Sequence, residues 1–218
     1  MKLAVFDCDG TLVDGQADIC ETMEQAFAAS GHQPPARSRI RRIVGLSLPV
    51  AVRHLAPDLG DAEAQAVVES YKSGYLARRQ QGLLHEPLYD GIGDLLRTLH
   101  SGGWTLAVAT GKSQRGLTSL LASHGLTDLF TSLQTADFHP SKPHPAMLEA
   151  ALFEAGAEPA QAVMIGDTSF DMHMARAAQV RAIGVGWGYH PADELRASGA
   201  AEVADTAAEL HEALERAL

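Results

Sequence analysis

The stretch "VFDCDGTLVD" (5–14) follows an apolar run with two carboxylates one residue apart, Asp7 and Asp9, and then Gly10 and Thr11. Three other stretches are loaded in a similar way. "ATGK" (109–112) carries Thr110 and Gly111, "SKPHP" (141–145) carries Lys142, and "GDTSFD" (166–171) carries Asp167 and Asp171. Side chains at i and i+2 of a strand project to one side, so Asp7 and Asp9 are expected to point together. Brought close to Asp167 and Asp171, they would form a set of four carboxylates that must take up protons or recruit a cation. Hard oxygen ligands, with no Cys or His at matching spacing, favour Mg²⁺. Lys142, Thr110 and backbone N–H groups would then hold the other oxygens of a phosphoryl group, the clamp that phosphoryl transfer requires. One carboxylate of the first pair would act as nucleophile, and the other as acid for the leaving alkoxide and base for water. Spacing alone does not decide which does which.

These residues need elements that end in one place. "LAVF" (3–6), "TLAVAT" (105–110), "AVMIG" (162–166) and "RAIGVG" (181–186) are short runs with apolar residues at both parities, as in strands covered on both faces. "SLQTA" (132–136) is a weaker strand candidate. Helical spacing fills 91–103, 113–125, 143–156 and 169–179, with Gly102, Gly125 and Gly156 at the stops. The alternation predicts an α/β, doubly wound (Rossmann-like) parallel sheet, whose ligands sit beyond the carboxyl ends of the strands. All four loaded stretches fall at or near such ends. Residues 16–83 break the alternation with helical patterns at 17–31 and 61–82, and an unstructured loop of that length is uncommon. They are expected to form an inserted α-helical cap domain, leaving 1–15 and 84–218 as the core. The Ala-rich stretch 192–217 reads as helix-forming, with a closing helix over 206–218.

The formal charge of −10, from 17 basic and 27 acidic residues, and the absence of a long basic run argue against nucleic acid. An anionic substrate then requires a local positive site. Cys8 and Cys20 are too few for a disulfide framework, which points to a reducing, cytoplasmic setting. The opening residues reach two aspartates before an apolar leader could be completed, and no segment has the length of a membrane span. A monomer or a homodimer is expected.

In order and spacing, "DCDGT" (7–11), "ATGK", "SKPHP" and "GDTSFD" resemble the four motifs of the haloacid dehalogenase-like (HAD) hydrolases, over nearly the whole chain. The helical insert after the first motif is similar to the C1-type cap of the phosphoglycolate phosphatase-like branch. The resemblance implies a phosphatase with Asp7 as nucleophile and Mg²⁺ ligand. It makes Asp9 the acid/base, binding the metal through its backbone carbonyl. Thr110 would contact the phosphoryl group, Lys142 would neutralise it and steady the nucleophile, and Gly10 and Gly111 would lie beside it. Asp167 would ligate the metal, with Asp171 supporting it through outer or water contacts. The implied substrate is a small phosphorylated metabolite, phosphoglycolate first. Gly15 and Gly111 stand where the family often has Ser and Asn.

"RSRIRRIVGLS" (37–47) places Arg37, Arg39, Arg41 and Arg42 on the cap. Arg41 and Arg42 are candidates for reading a second substrate anion, and "RRIVGLS" resembles the branch's cap substrate loop, with Gly45 allowing close approach. The solvated-face alternative stands beside that reading. "TGKS" is not a Walker A loop, because Leu106 occupies the position of its first Gly, and "GLSLP" is not a nucleophile elbow, because Pro49 replaces the second Gly. Four other functions compete with this reading. A 2-haloacid dehalogenase lacks the second aspartate of the first motif. A β-phosphoglucomutase-like mutase has a His and Ala-Trp pattern that "ADICETMEQAF" does not match. A pyrophosphatase stays open, and a phospho-accepting receiver domain normally has no cap. His144, Trp187, Tyr189 and His190 fall near the expected crevice without an assigned role.

Overall fold

Both faces of the first apolar run are covered. It forms β1 (Lys2–Phe6), with Leu3 and Val5 packed on one side of the sheet and Ala4 and Phe6 on the other. The computed structural model describes residues 1–218. The remaining strands are β2 (Trp104–Thr110), β3 (Phe130–Thr135), β4 (Ala162–Gly166), β5 (Arg181–Val185) and β6 (Glu202–Ala204). All pair in parallel, in the order β3-β2-β1-β4-β5-β6. The chain winds outward from β1 to β3, returns to β4 on the other flank of β1, and winds outward again. The strand order therefore reverses beside β1, where a doubly wound sheet opens its crevice.

Four helices lie between β1 and the helix that leads into β2: α1 (Gln16–Ala29), α2 (Arg37–Ile43), α3 (Leu48–Leu55) and α4 (Asp61–Gln80). In α1 the spacing of Ile19, Met23, Ala26 and Phe27 puts them on one helical face, which packs with Ile40, Val52 and Val67 in a cluster of its own. The expected helices at 17–31 and 61–82 are α1 and α4. The sequence reading did not separate α2 and α3. Only Ile40 of α2 is buried, so that helix shows no periodicity, whereas Pro49 in the first turn of α3 is a start signal.

The sheet is covered by α5 (Ile92–Ser101), α6 (Gln114–Ser123) and α10 (Ala207–Ala217) on the Phe6 face. On the Val5 face lie α7 (Ala146–Ala155), α8 (Ser169–Ala177) and α9 (Ala192–Ser198). The stretch 192–217 is not helical throughout. α9 ends at Gly199, and Glu202–Ala204 pairs with β5 as an edge strand before α10 begins. Three residues are too short a strand to show a period.

Candidate active site

The chemistry-bearing residues meet at the carboxyl ends of β1, β2 and β4. The Asp7 N–H donates to the Ile165 carbonyl at 2.9 Å, one bond past the end of β1, which fixes Asp7 beside β4. The chain then turns sharply, with the Leu12 N–H returning to the Cys8 carbonyl at 2.8 Å. Gly10 makes the turn at φ +89°, and a Cβ there would collide with Asp167 and Tyr189. Thr110 closes β2, buried, and accepts from the Lys112 N–H at 3.2 Å. Asp171 lies in the first turn of α8, where its carboxylate accepts from the N–H of Thr168 at 3.1 Å and its hydroxyl at 2.7 Å, a cap that locks its rotamer.

Asp7, Asp167 and Asp171 are all fully buried, and one oxygen from each lies within 4.8 Å of the others. Lys142, equally buried, sits with Nζ 2.6 Å from Asp171 Oδ1 and 2.9 Å from Asp7 Oδ1. The contact with Asp7 is close in distance but is not aligned as a hydrogen bond, and neither Asp7 oxygen has an aligned donor. Asp167 is held by the Thr11 hydroxyl and the Tyr189 N–H, both at 2.8 Å. Burial pushes Asp7 up to about 7, against the pull of Lys142 and with the help of the Asp171 charge. Burial also raises Asp167 well above the carboxylate range, aided by Asp7 and Asp171. Burial alone would lower Lys142, but Asp171 and Asp7 together carry it above the usual lysine value. When all three carboxylates are ionised they exceed the one ammonium by two charges, and neither Asp7 oxygen accepts an aligned hydrogen bond. That charge and donor set fit a hard divalent cation.

The side chain of Asp9 departs from the expected set of four. The strand alternation does not extend past Phe6, and Asp9 turns away to Lys112, whose Nζ lies 3.0 Å from its Oδ1. Lys112 also reaches Glu86 at 2.7 Å, and Glu86 in turn accepts from the Tyr75 hydroxyl at 2.8 Å and pairs with Arg79 at 3.3 Å. Tyr75 and Arg79 belong to α4, so this chain of contacts joins the helical insert to Asp9. Sequence reasoning assigned nothing to Glu86 or Lys112. "TGK" placed Lys112 at a strand end, but no motif marks Glu86.

The insert rests directly on the loop after β2. A Cβ on Gly111 would come within 2.5 Å of the Gly45 carbonyl oxygen and 2.7 Å of that of Leu46. The Ser47 N–H donates to Ser141 Oγ at 2.9 Å, and the Arg42 guanidinium bridges to Glu194 at 2.7 and 2.8 Å. Between insert and core lies a cavity of about 600 Å³, with Asp9, Thr110, Gly111 and Gly45 among its walls. Arg41 and Arg42 are not among them. Arg41 is exposed and Arg42 is spent on Glu194, because a seven-residue helix with one inward residue turns its arginines outward. Tyr189 and Trp187 do stand by the crevice, the latter donating to the Thr11 carbonyl at 3.2 Å. His190 braces the Asp167 carbonyl through its N–H at 3.2 Å, and His144 is exposed.

A family model described as haloacid dehalogenase-like hydrolase matches residues 4–185. The chain is 37% identical over 213 residues to "Probable phosphatase IndB" of Dickeya dadantii, covering 95% of this chain and 91% of that one. It is 29% identical to a phosphoglycolate phosphatase of Vibrio vulnificus over 218 residues, 96% and 94% of the two chains. The crystal structure of a hydrolase from Pseudomonas syringae superposes with a TM-score of 0.87 at 26% identity, covering 99% of both chains.

Proposed function

Since the chain belongs to the haloacid dehalogenase-like hydrolases and is a phosphatase of that family, we propose that it hydrolyses a small phosphorylated metabolite in a Mg²⁺-dependent reaction through an aspartyl-phosphate on Asp7. The observation that carries this reading is the buried Asp7 carboxylate, free of aligned donors and 2.9 Å from Lys142. A nucleophile needs uncommitted lone pairs and a neighbouring cation to draw the phosphoryl group in.

Asp7 forms the bond to phosphorus while the bond to the leaving oxygen breaks, and Asp9 gives that oxygen its proton. Asp9 then takes a proton from water, whose oxygen attacks phosphorus and frees Asp7 and inorganic phosphate. Lys142 neutralises the phosphoryl group, Thr110 and the backbone beside Gly10 and Gly111 orient it, and Mg²⁺ supplies electrostatic stabilisation of the developing charge. Asp7 and Asp167 would hold the metal, together with the Asp9 backbone carbonyl. Asp171 supports it from outside, since its oxygens already serve Lys142 and Thr168. Residues 16–83 act as a cap that excludes water from the closed crevice. No helix is long and apolar enough to cross a membrane, and the two buried free cysteines suit work in the cytoplasm.

The test is hydrolysis of p-nitrophenyl phosphate with and without Mg²⁺, alongside Asp7→Asn. Turnover should require the metal and vanish in the variant, and mass spectrometry of the quenched enzyme should find phosphate on the peptide containing Asp7. Substantial turnover by Asp7→Asn would remove the nucleophile from this reading.

A further inference from the structure

Asp9, which faces the leaving oxygen in the mechanism above, lies in the wall of the 600 Å³ cavity, so the leaving group occupies that space. The volume falls within the range that takes drug-sized ligands and greatly exceeds the need of a two-carbon acid. A substrate carboxylate would also need a cation facing inward and uncommitted. Lys112 is taken by Asp9 and Glu86. Arg79 is taken by Glu86 and by the Gly116 carbonyl at 3.1 Å. Two more cations line the cavity, but Lys72 pairs with Glu69 at 3.0 Å, and Arg115, which has no ion pair, is exposed, where solvent screens its charge. The cap arginines are turned outward. No buried cation in the lining is left unpaired, and beside the charged residues the walls carry Ile19, Met23, Ile43, Leu48, Tyr71 and Tyr75, with the two tyrosine rings stacked at 5.6 Å.

We infer that the physiological leaving group is a largely apolar, ring-bearing alcohol rather than glycolate. Apolar walls with an aromatic pair bind a ring by area and by its face, without a counter-charge. The inference rests on the phosphatase reading, and it departs from phosphoglycolate as the substrate expected from the sequence.

Three substrates that all leave as alkoxides separate size from charge: ethyl phosphate, phosphoglycolate and benzyl phosphate, each with Mg²⁺. Benzyl phosphate should exceed ethyl phosphate in kcat/KM by about tenfold or more, and phosphoglycolate should gain nothing over ethyl phosphate. Met23→Ala and Leu48→Ala should each lower the benzyl-to-ethyl ratio severalfold, a ratio in which general losses of folded enzyme cancel. A phosphoglycolate preference of tenfold, or a ratio unmoved by both variants, overturns the inference while leaving the phosphatase reading intact. Failure of all three substrates and of p-nitrophenyl phosphate overturns the phosphatase reading, and the inference with it.

Discussion

Lys112 holds Asp9 in a fixed place, its Nζ 3.0 Å from one carboxylate oxygen and 3.3 Å from the other, while its opposite side rests on Glu86 at 2.7 Å. The ammonium is almost wholly buried, at 7% exposure, and Asp9, Tyr75 and Glu86 raise its pKa against the effect of burial. It is a permanent cation between two carboxylates, one in the proposed proton-transfer step and one in contact with α4.

Lys112→Met should therefore disturb the aim of Asp9 more than the attack by Asp7. Proton donation matters most for poor leaving groups and is commonly worth about 10²–10⁴. The expected outcome is a loss of about 10² or more in kcat on ethyl phosphate and a much smaller loss on p-nitrophenyl phosphate, whose phenolate leaves unaided. Equal losses on both would show that Lys112 serves only the fold. Asp9→Asn provides the reference pattern.

Asp7 is expected to cost the metal-free protein stability. Its carboxylate is buried, without aligned donors, and close to Asp167 and Asp171, a situation worth about 1–3 kcal/mol per unsatisfied group. In chelator, Asp7→Asn should melt higher than wild type by roughly 2–4 °C per kcal/mol regained for a chain of this size. Mg²⁺ should raise the Tm of the wild type and raise that of the variant much less. Calorimetry with and without metal checks both, and a variant that melts lower in chelator would mean that Asp7 is already compensated.

Much of this was legible in the sequence, and the reasons are physical. β1, β2, β4 and β5 are covered on both faces, so their apolar runs stand out, and a strand end in a doubly wound sheet has only one destination. The turn at Gly10 hides the parity of Asp9, which is why two aspartates spaced as one pair serve two different clusters. β6 gains its identity from pairing with β5 and not from its own three residues. Glu86 was invisible because its role is set by Lys112, Tyr75 and Arg79, which converge on it from other elements. The cap arginines show the converse. A run of like charges is conspicuous in sequence, yet Arg37 meets Glu24 at 2.8 Å, Arg39 meets the Leu55 carbonyl at 2.8 Å, and Arg42 meets Glu194.

Glu86 should make the fold pH-sensitive in a defined direction. Burial would raise its pKa, but Lys112, Tyr75 and Arg79 outweigh it and hold the carboxyl below its ordinary 4.5. A depressed carboxyl contributes stability that is present above its unfolded pKa and is lost as pH falls through the folded one. Glu86→Gln should thus lower Tm at pH 7, and the gap to wild type should close as the pH drops below about 4.5. Thermal melts of both proteins from pH 7 to 3.5 read this directly. A gap that stays constant would assign the loss to packing or hydrogen-bond geometry instead of charge.

Gly111 tests whether the close seat of the cap matters. Any side chain there meets the backbone carbonyls of Gly45 and Leu46 at 2.5 and 2.7 Å, and backbone cannot rotate aside as a side chain can. Gly111→Ala should therefore lift the 45–47 loop from the core and free the Ser47 N–H from Ser141. Arg42→Ala removes only a pair whose Arg side chain is 50% exposed, a contact worth about 0–1 kcal/mol. The two changes act at the same seam but differ in kind, one by steric exclusion and the other by losing a screened attraction. Hydrogen exchange at residues 45–47 should quicken clearly in Gly111→Ala and little in Arg42→Ala. Turnover should follow the same ranking, because a cap that cannot seat leaves Asp9 and the phosphoryl group open to water. If Gly111→Ala keeps wild-type exchange and turnover, the core loop gives way instead, and the fit between Gly111 and Gly45 is not what seats the cap.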